Sequence, residues 1–187
     1  CLYSKENNIF ICGDVLLPRI TPNISVRPFH AETNPLDDWI KSLKKIKTII
    51  PDDVLILPSH GYPYYGAHKR IDALIEDHMK KIESLFDFCK EPKNVIEVFP
   101  ALFVNEINEN SLILAVGESL AHLNYLIGEE RMKMKKNSEG INYYQSIWLG
   151  ISLSVIFDNK KIFEYQIPVV VIGAGACGLC AALAVKE

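Results

Sequence analysis

Two apolar runs in this chain stop abruptly at polar turns. Ile9-Phe10-Ile11-Cys12 leads straight into Gly13-Asp14, and Val54-Leu55-Ile56-Leu57 leads into Pro58-Ser59-His60-Gly61. Short apolar runs bounded by Gly and Pro read as buried strands, so a carboxylate and an imidazole stand where two strands end. Between them, Leu36, Trp39, Ile40, Leu43 and Ile46 recur at intervals of three and four from Pro35 onward. That spacing predicts a helix covering the sheet, with Lys41, Lys44, Lys45 and Lys47 as its solvated face. A second stripe follows the aromatic loop Tyr62-Pro63-Tyr64-Tyr65-Gly66 and runs from Ile71 through Leu74, His78, Ile82 and Leu85 to Cys89. His78 and Met79 lie on the stripe and read as core side chains. His68, at its start, reads as a capping or surface residue, with contact to a substrate beside His60 as the alternative.

After a break at Pro100, Leu112, Val116, Leu120, Leu123 and Ile127 mark a further helix, with its C-cap expected at Gly128. Arg131–Lys136, the turn Asn137-Ser138-Glu139-Gly140 and Ile141–Gln145 read as a hairpin. Helix followed by hairpin is the order found in a winged helix. Ser146 to Gln166 carries no motif. Pro168-Val169-Val170-Val171-Ile172 then reads as a buried strand entering Gly173-Ala174-Gly175-Ala176-Cys177-Gly178 and an Ala/Leu-rich helix start. A G-x-G-x-x-G in that setting lets a pyrophosphate approach a helix N-terminus, so Gly173, Gly175 and Gly178 are candidate cofactor-binding positions. Cys177 and Cys180 nominally spell C-x-x-C. They occupy non-glycine positions of the dinucleotide motif, which disfavours a redox dithiol.

Composition narrows the class. The 187 residues suit one domain or slightly more, and 49% hydrophobic with 23% charged residues is ordinary for a globular chain. A net charge of -3 does not advertise a nucleic-acid binder. The 5 cysteines, at positions 1, 12, 89, 177 and 180, suit a reducing, cytoplasmic compartment better than a disulfide framework. The most apolar stretch, Ile147 to Phe157, is too short to span a bilayer, so no membrane partner is expected.

Asp14 and His60 are the candidate chemistry. A carboxylate oxygen and an imidazole nitrogen are donors that zinc, manganese or iron accept, and strand ends hold them on rigid backbone. Each is also a common turn residue beside glycine.

GDVLLPRITPNI, NPLDDWIKSL and DDVLILPSHGYP, in that order, resemble the second half of a metallo-β-lactamase-fold hydrolase over residues 5 to 145. The resemblance implies an α/β fold, the C-terminal half of an αββα sandwich. It also implies two zinc ions, with Asp14 as a catalytic carboxylate bridging them and His60 ligating one. The family's H-x-H-x-D-H motif, which supplies most of the ligands, is absent: histidines stand at 30, 60, 68, 78 and 122. With a start at Cys1, the expectation is a fragment inactive on its own.

GESLAHLNYLIGEE with the following hairpin is similar to the winged-helix tail of the β-lactamase-like protein 2 branch. That similarity implies a helix-packing role for His122, not a metal ligand, and hydrolysis of ester, thioester or RNA phosphoester substrates, and it leaves nucleic acid open as a partner. IPVVVIGAGACGLCAALA resembles the opening of FAD-dependent oxidoreductases of the fumarate reductase flavoprotein type, implying FAD at Gly173, Gly175 and Gly178 in a truncated Rossmann β-α step. The expected organisation is a hydrolase half over 1–92, a winged-helix-like tail over 93–145, a junction over 146–166 and a Rossmann start over 167–187. The junction reads as a linker in a hydrolase–flavoenzyme fusion or as the seam of a misassembled reading frame. A metal-dependent hydrolase is the first reading. The alternatives are the N-terminal region of a flavin oxidoreductase and a winged-helix binding module whose metal residues are relics.

Overall fold

In the computed structural model, residues 1–148, 151–157 and 160–167 are described, the last two stretches as backbone. The chain divides into two compact units, Cys1–Ser146 and Ile147–Glu187.

The first unit opens with a three-stranded sheet. Strands β1 (Leu2–Ser4) and β2 (Ile9–Gly13) pair antiparallel, and β2 pairs parallel with β3 (Leu55–Pro58), in the order β1-β2-β3. Alternation sends Phe10, Cys12 and Ile56 into a core with Leu43, Ile71 and Leu74. The other face carries Leu2 and Ile11, which are 71% and 49% exposed.

A parallel pair needs a long crossover, and here it carries helix α1 (Pro35–Ile49). Asn34 caps this helix by accepting from the Asp37 N–H at 3.3 Å, Pro35 fills its first turn, and Asp37 and Asp38 favour the dipole's positive end. Leu36, Ile40 and Leu43 form its buried face as the spacing predicts. Lys41, Lys44 and Lys45 are exposed, and Lys47 pairs with Asp72 at 2.6 Å.

Helix α2 (Ala67–Phe88) buries Ile71, Leu74, His78, Ile82 and Leu85. Its start is capped from a distance: the Asp52 carboxylate accepts from the His68 N–H at 2.9 Å, while the His68 ring bonds the Ile50 carbonyl at 2.8 Å. His68 is therefore a tie between two helix ends.

The far half of α2 packs with α3 (Phe99–Leu102), α4 (Leu112–Gly128) and the hairpin of β4 (Met132–Lys136) and β5 (Asn142–Ser146) around Leu85, Leu102, Leu123, Leu126, Met132 and Tyr144. Backbone bonds between Lys93 and Tyr144, at 2.8 and 3.0 Å, fasten β5 to the segment after α2.

The expected C-cap at Gly128 is corrected by the structure. Gly128 is still helical, and the left-handed residue is Glu130, at φ 56°. Glu130 N–H bonds Ile127 O at 3.0 Å and Arg131 N–H bonds Leu126 O at 2.9 Å, which is a Schellman ending. Position 128 is small for another reason: a Cβ there would stand 2.9 Å from the Asn34 amide nitrogen.

In the second unit, the segment without a motif forms an antiparallel hairpin of β6 (Ile151–Phe157) and β7 (Lys160–Ile167). Gly173, Gly175 and Gly178 lie outside the described residues. Among the described residues, no helix is long and apolar enough to cross a membrane.

Candidate metal centre

Strands β2 and β3 end side by side, with Gly13 in register with Pro58. Two turns leave from that edge. In the first, Val15 N–H bonds back to Cys12 O at 3.3 Å, and Gly13 sits at φ 59°, a conformation glycine adopts without strain. Asp14 follows it. In the second, Ser59 N–H bonds Gly13 O at 3.2 Å, Ser59 Oγ donates to the Asp14 carboxylate, and His60 Nε2 comes to 3.6 Å from Asp14 Oδ1. Gly61 closes this turn at φ 86°, with its α-carbon so near Pro18 that a Cβ would stand 2.8 Å from the Pro18 ring. The parallel pairing thus joins the two candidate residues at a solvent-facing rim, where their side chains are 64% and 68% exposed.

The spacing suits a metal. Two donors each bound to zinc at a tetrahedral angle stand about 3.4 Å apart, close to the distance between Asp14 Oδ1 and His60 Nε2. The donor chemistry is equally apt, but the pair supplies only two of the donors a zinc ion takes. Among the described residues, no group of three or more His, Cys, Asp or Glu side chains is placed to hold a metal ion.

The loop behind Asp14 is anchored by its own apolar residues and by groups that follow His60. Leu16 and Leu17 are buried, and the Tyr64 hydroxyl donates to Leu16 O at 3.1 Å. The Arg70 guanidinium donates to Leu17 O at 2.6 Å and to Ile20 O at 2.9 Å. The sequence reading singled out neither side chain. A Tyr and an Arg that bond backbone carbonyls have no spacing signature of their own.

The remaining histidines lie elsewhere. His30 is exposed in a short 3-10 turn. His78 and His122 are fully buried and face each other between α2 and α4, which agrees with their reading as packing residues. Burial pushes His78 down to about 4 and His122 to about 3. Cys1, Cys12 and Cys89 are free thiols.

Residues 82–147 match the protein family described as "Metallo-beta-lactamase-like, C-terminal domain". They comprise the end of α2, α3, α4 and the β4–β5 hairpin. Among solved structures, a beta-lactamase domain protein from Burkholderia ambifaria is similar at 33% identity and a TM-score of 0.74, covering 78% of this chain and 43% of its own. A metallo-beta-lactamase family protein from Thermus thermophilus is similar at 26% identity and a TM-score of 0.64, covering 76% of this chain and 44% of its own. The chain therefore spans less than half the length of either protein. No curated protein gives a significant match. The mixed α/β architecture agrees with the likeness to metallo-β-lactamase proteins, and these matches lend no support to an FAD site.

Proposed function

We propose that this chain supplies the second half of a metal-dependent hydrolase of the metallo-β-lactamase superfamily, with Asp14 bridging two metal ions and His60 ligating one. The observation that carries the reading is the approach of His60 Nε2 to Asp14 Oδ1, at 3.6 Å, across the ends of two parallel strands. Ser59 steadies one carboxylate oxygen and Gly61 sets the turn that aims the imidazole. Zinc held by Asp14 and His60 with further ligands would supply hydroxide near neutral pH and Lewis acidity toward a carbonyl or phosphoryl oxygen. The exposed sheet face of Leu2 and Ile11 supports the same reading, because a sandwich half has one face left for a second layer.

The substrate class proposed is an ester, a thioester or an RNA phosphoester. The β4–β5 hairpin, with exposed Lys133, Lys135 and Lys136, would meet an anionic substrate in the manner of a winged helix.

Zinc analysis after dialysis, with esterase and ribonuclease assays, tests the proposal. The chain alone should bind zinc too weakly to keep it through dialysis and should show no turnover. Adding a polypeptide that carries the H-x-H-x-D-H half should restore both. Near-stoichiometric zinc on the isolated chain would overturn the two-ligand account.

A further inference from the structure

We propose that Arg70 is a positioning residue for the Asp14–His60 site, an inference that rests on the metal-centre reading above. Arg70 lies in the first turn of α2, the helix that follows the His60 turn, and it reaches back to the loop that follows Asp14. Its Nε–H donates to Leu17 O at 2.6 Å and its Nη2–H to Ile20 O at 2.9 Å. One planar, permanently charged fork thus holds two carbonyls of a loop that belongs to no helix or strand.

Two neighbours act in the same direction. The Tyr64 hydroxyl holds Leu16 O at 3.1 Å, and the α-carbon of Gly61 lies against the Pro18 ring. The carbonyls of Leu16, Leu17 and Ile20 are therefore bonded by side chains from the stretch just after His60. The carboxylate turn and the imidazole turn are fastened into one body. Two donors on separate turns bind one cation well only if their separation is fixed in advance. Arg70 touches neither donor and acts through the backbone that carries Asp14.

The chemistry explains why an arginine stands here. A lysine ammonium is a compact point charge on a flexible stem, whereas the guanidinium presents donors in fixed directions to two separate carbonyls. Outer residues that orient metal ligands commonly control affinity by about 10- to 100-fold.

Zinc titration of the isotopically labelled chain, followed through the backbone amide signals of Asp14, Ser59 and His60, tests the proposal. In the wild type, these signals should move together with one midpoint. Arg70→Met should raise that midpoint about tenfold or more, and Arg70→Lys should fall between the two. Arg131→Met serves as the control, since it removes the paired bonds to Glu83, at 2.7 Å each, away from the site. It should lower the melting temperature and leave the zinc midpoint unchanged. If Arg70→Met does not fold, Arg70→Lys carries the comparison. A wild-type midpoint in a folded Arg70 variant overturns the role of Arg70 and leaves the metal reading standing. Absence of a shared midpoint in the wild type overturns the metal reading, and the role of Arg70 with it.

Discussion

His78 donates from Nδ1 to Nε2 of His122 across 3.1 Å, and the direction of that bond is set from outside the pair. The Glu118 carbonyl can only accept, so His122 Nδ1, at 2.8 Å from it, carries the proton. That leaves His122 Nε2 bare in the neutral ring, and His78 must donate to it. His78 Nε2 is then a second bare nitrogen, buried without a partner among the described residues, in a ring that stands edge-on to the Trp39 ring with centroids 5.1 Å apart. A proton on His122 Nε2 would take away the acceptor of that bond, and a proton on His78 Nε2 would be buried with no acceptor among the described residues.

Acid should therefore unfold this unit through the histidine pair. Burial lowers His78 from 6.5 to about 4 and His122 from 6.5 to about 3, with Lys81 adding to the effect on both. The unfolded chain binds protons first. Stability is full above about pH 6.5 and falls as the pH drops through the window between the unfolded and folded values, by up to about 1.4 kcal/mol per pH unit for each histidine. Urea denaturation at a series of pH values from neutral to mildly acid checks this. His122→Asn, which keeps a donor toward Glu118 O, should flatten the slope by about one histidine's share. An unchanged slope would show that other groups dominate.

Asp14→Ala and His60→Ala should leave the fold intact. Both side chains are mostly exposed, so each change should cost within about 0.5 kcal/mol by denaturant melts. In the completed hydrolase the same two changes should abolish zinc-dependent turnover. Wild-type turnover and metal content in both variants would return these residues to the status of turn formers.

Gly61→Ala combines two penalties, a left-handed backbone at φ 86° and a Cβ 2.8 Å from the Pro18 ring. Destabilisation of about 1 to 3 kcal/mol is expected. Thermal melting measures it, and a change below about 0.5 kcal/mol would show that the Pro18 loop yields freely.

The two glycines of α4 should respond differently to alanine. At Gly117 the new methyl would meet Ser25 Cβ at 2.8 Å and Val26 O at 3.1 Å, so crowding against backbone should cost about 1 to 3 kcal/mol. At Gly128 it would meet only the swinging end of Asn34, and about 1 kcal/mol of gained helix propensity should offset the disturbed cap. Gly128→Ala should therefore melt within a degree or two of wild type, and Gly117→Ala well below it. Equal losses at both positions would contradict the contact geometry.

The placement of Asp14 and His60 at strand ends was legible in the sequence because each follows an apolar run, and parallel pairing brings those runs into register. The faces of α1 and α2 were legible from their three-and-four spacing. The α4 ending was not. Glycine is the usual left-handed residue, yet Glu130 takes that conformation while Gly128 is reserved for the approach of Asn34. His78 and His122 each looked like a core residue, and periodicity alone could not show that they bond each other from different helices. Arg70 and Tyr64 act on backbone carbonyls, and a carbonyl leaves no mark in the sequence. The hairpin of β6 and β7 lies in the stretch that carries no motif, so its pairing is visible only in the fold.

The crossover through α1 also governs when the site can exist during folding. Asp14 precedes α1 and His60 follows β3, so the two are strangers in any state where β3 has not yet docked beside β2. Closing that connection costs chain entropy before any contact repays it, which makes parallel pairing a late event. A cation that needs both donors cannot template the early collapse of this chain. Under the proposed metal reading it would be a latch on the closed crossover, and zinc should slow unfolding while leaving the refolding rate unchanged.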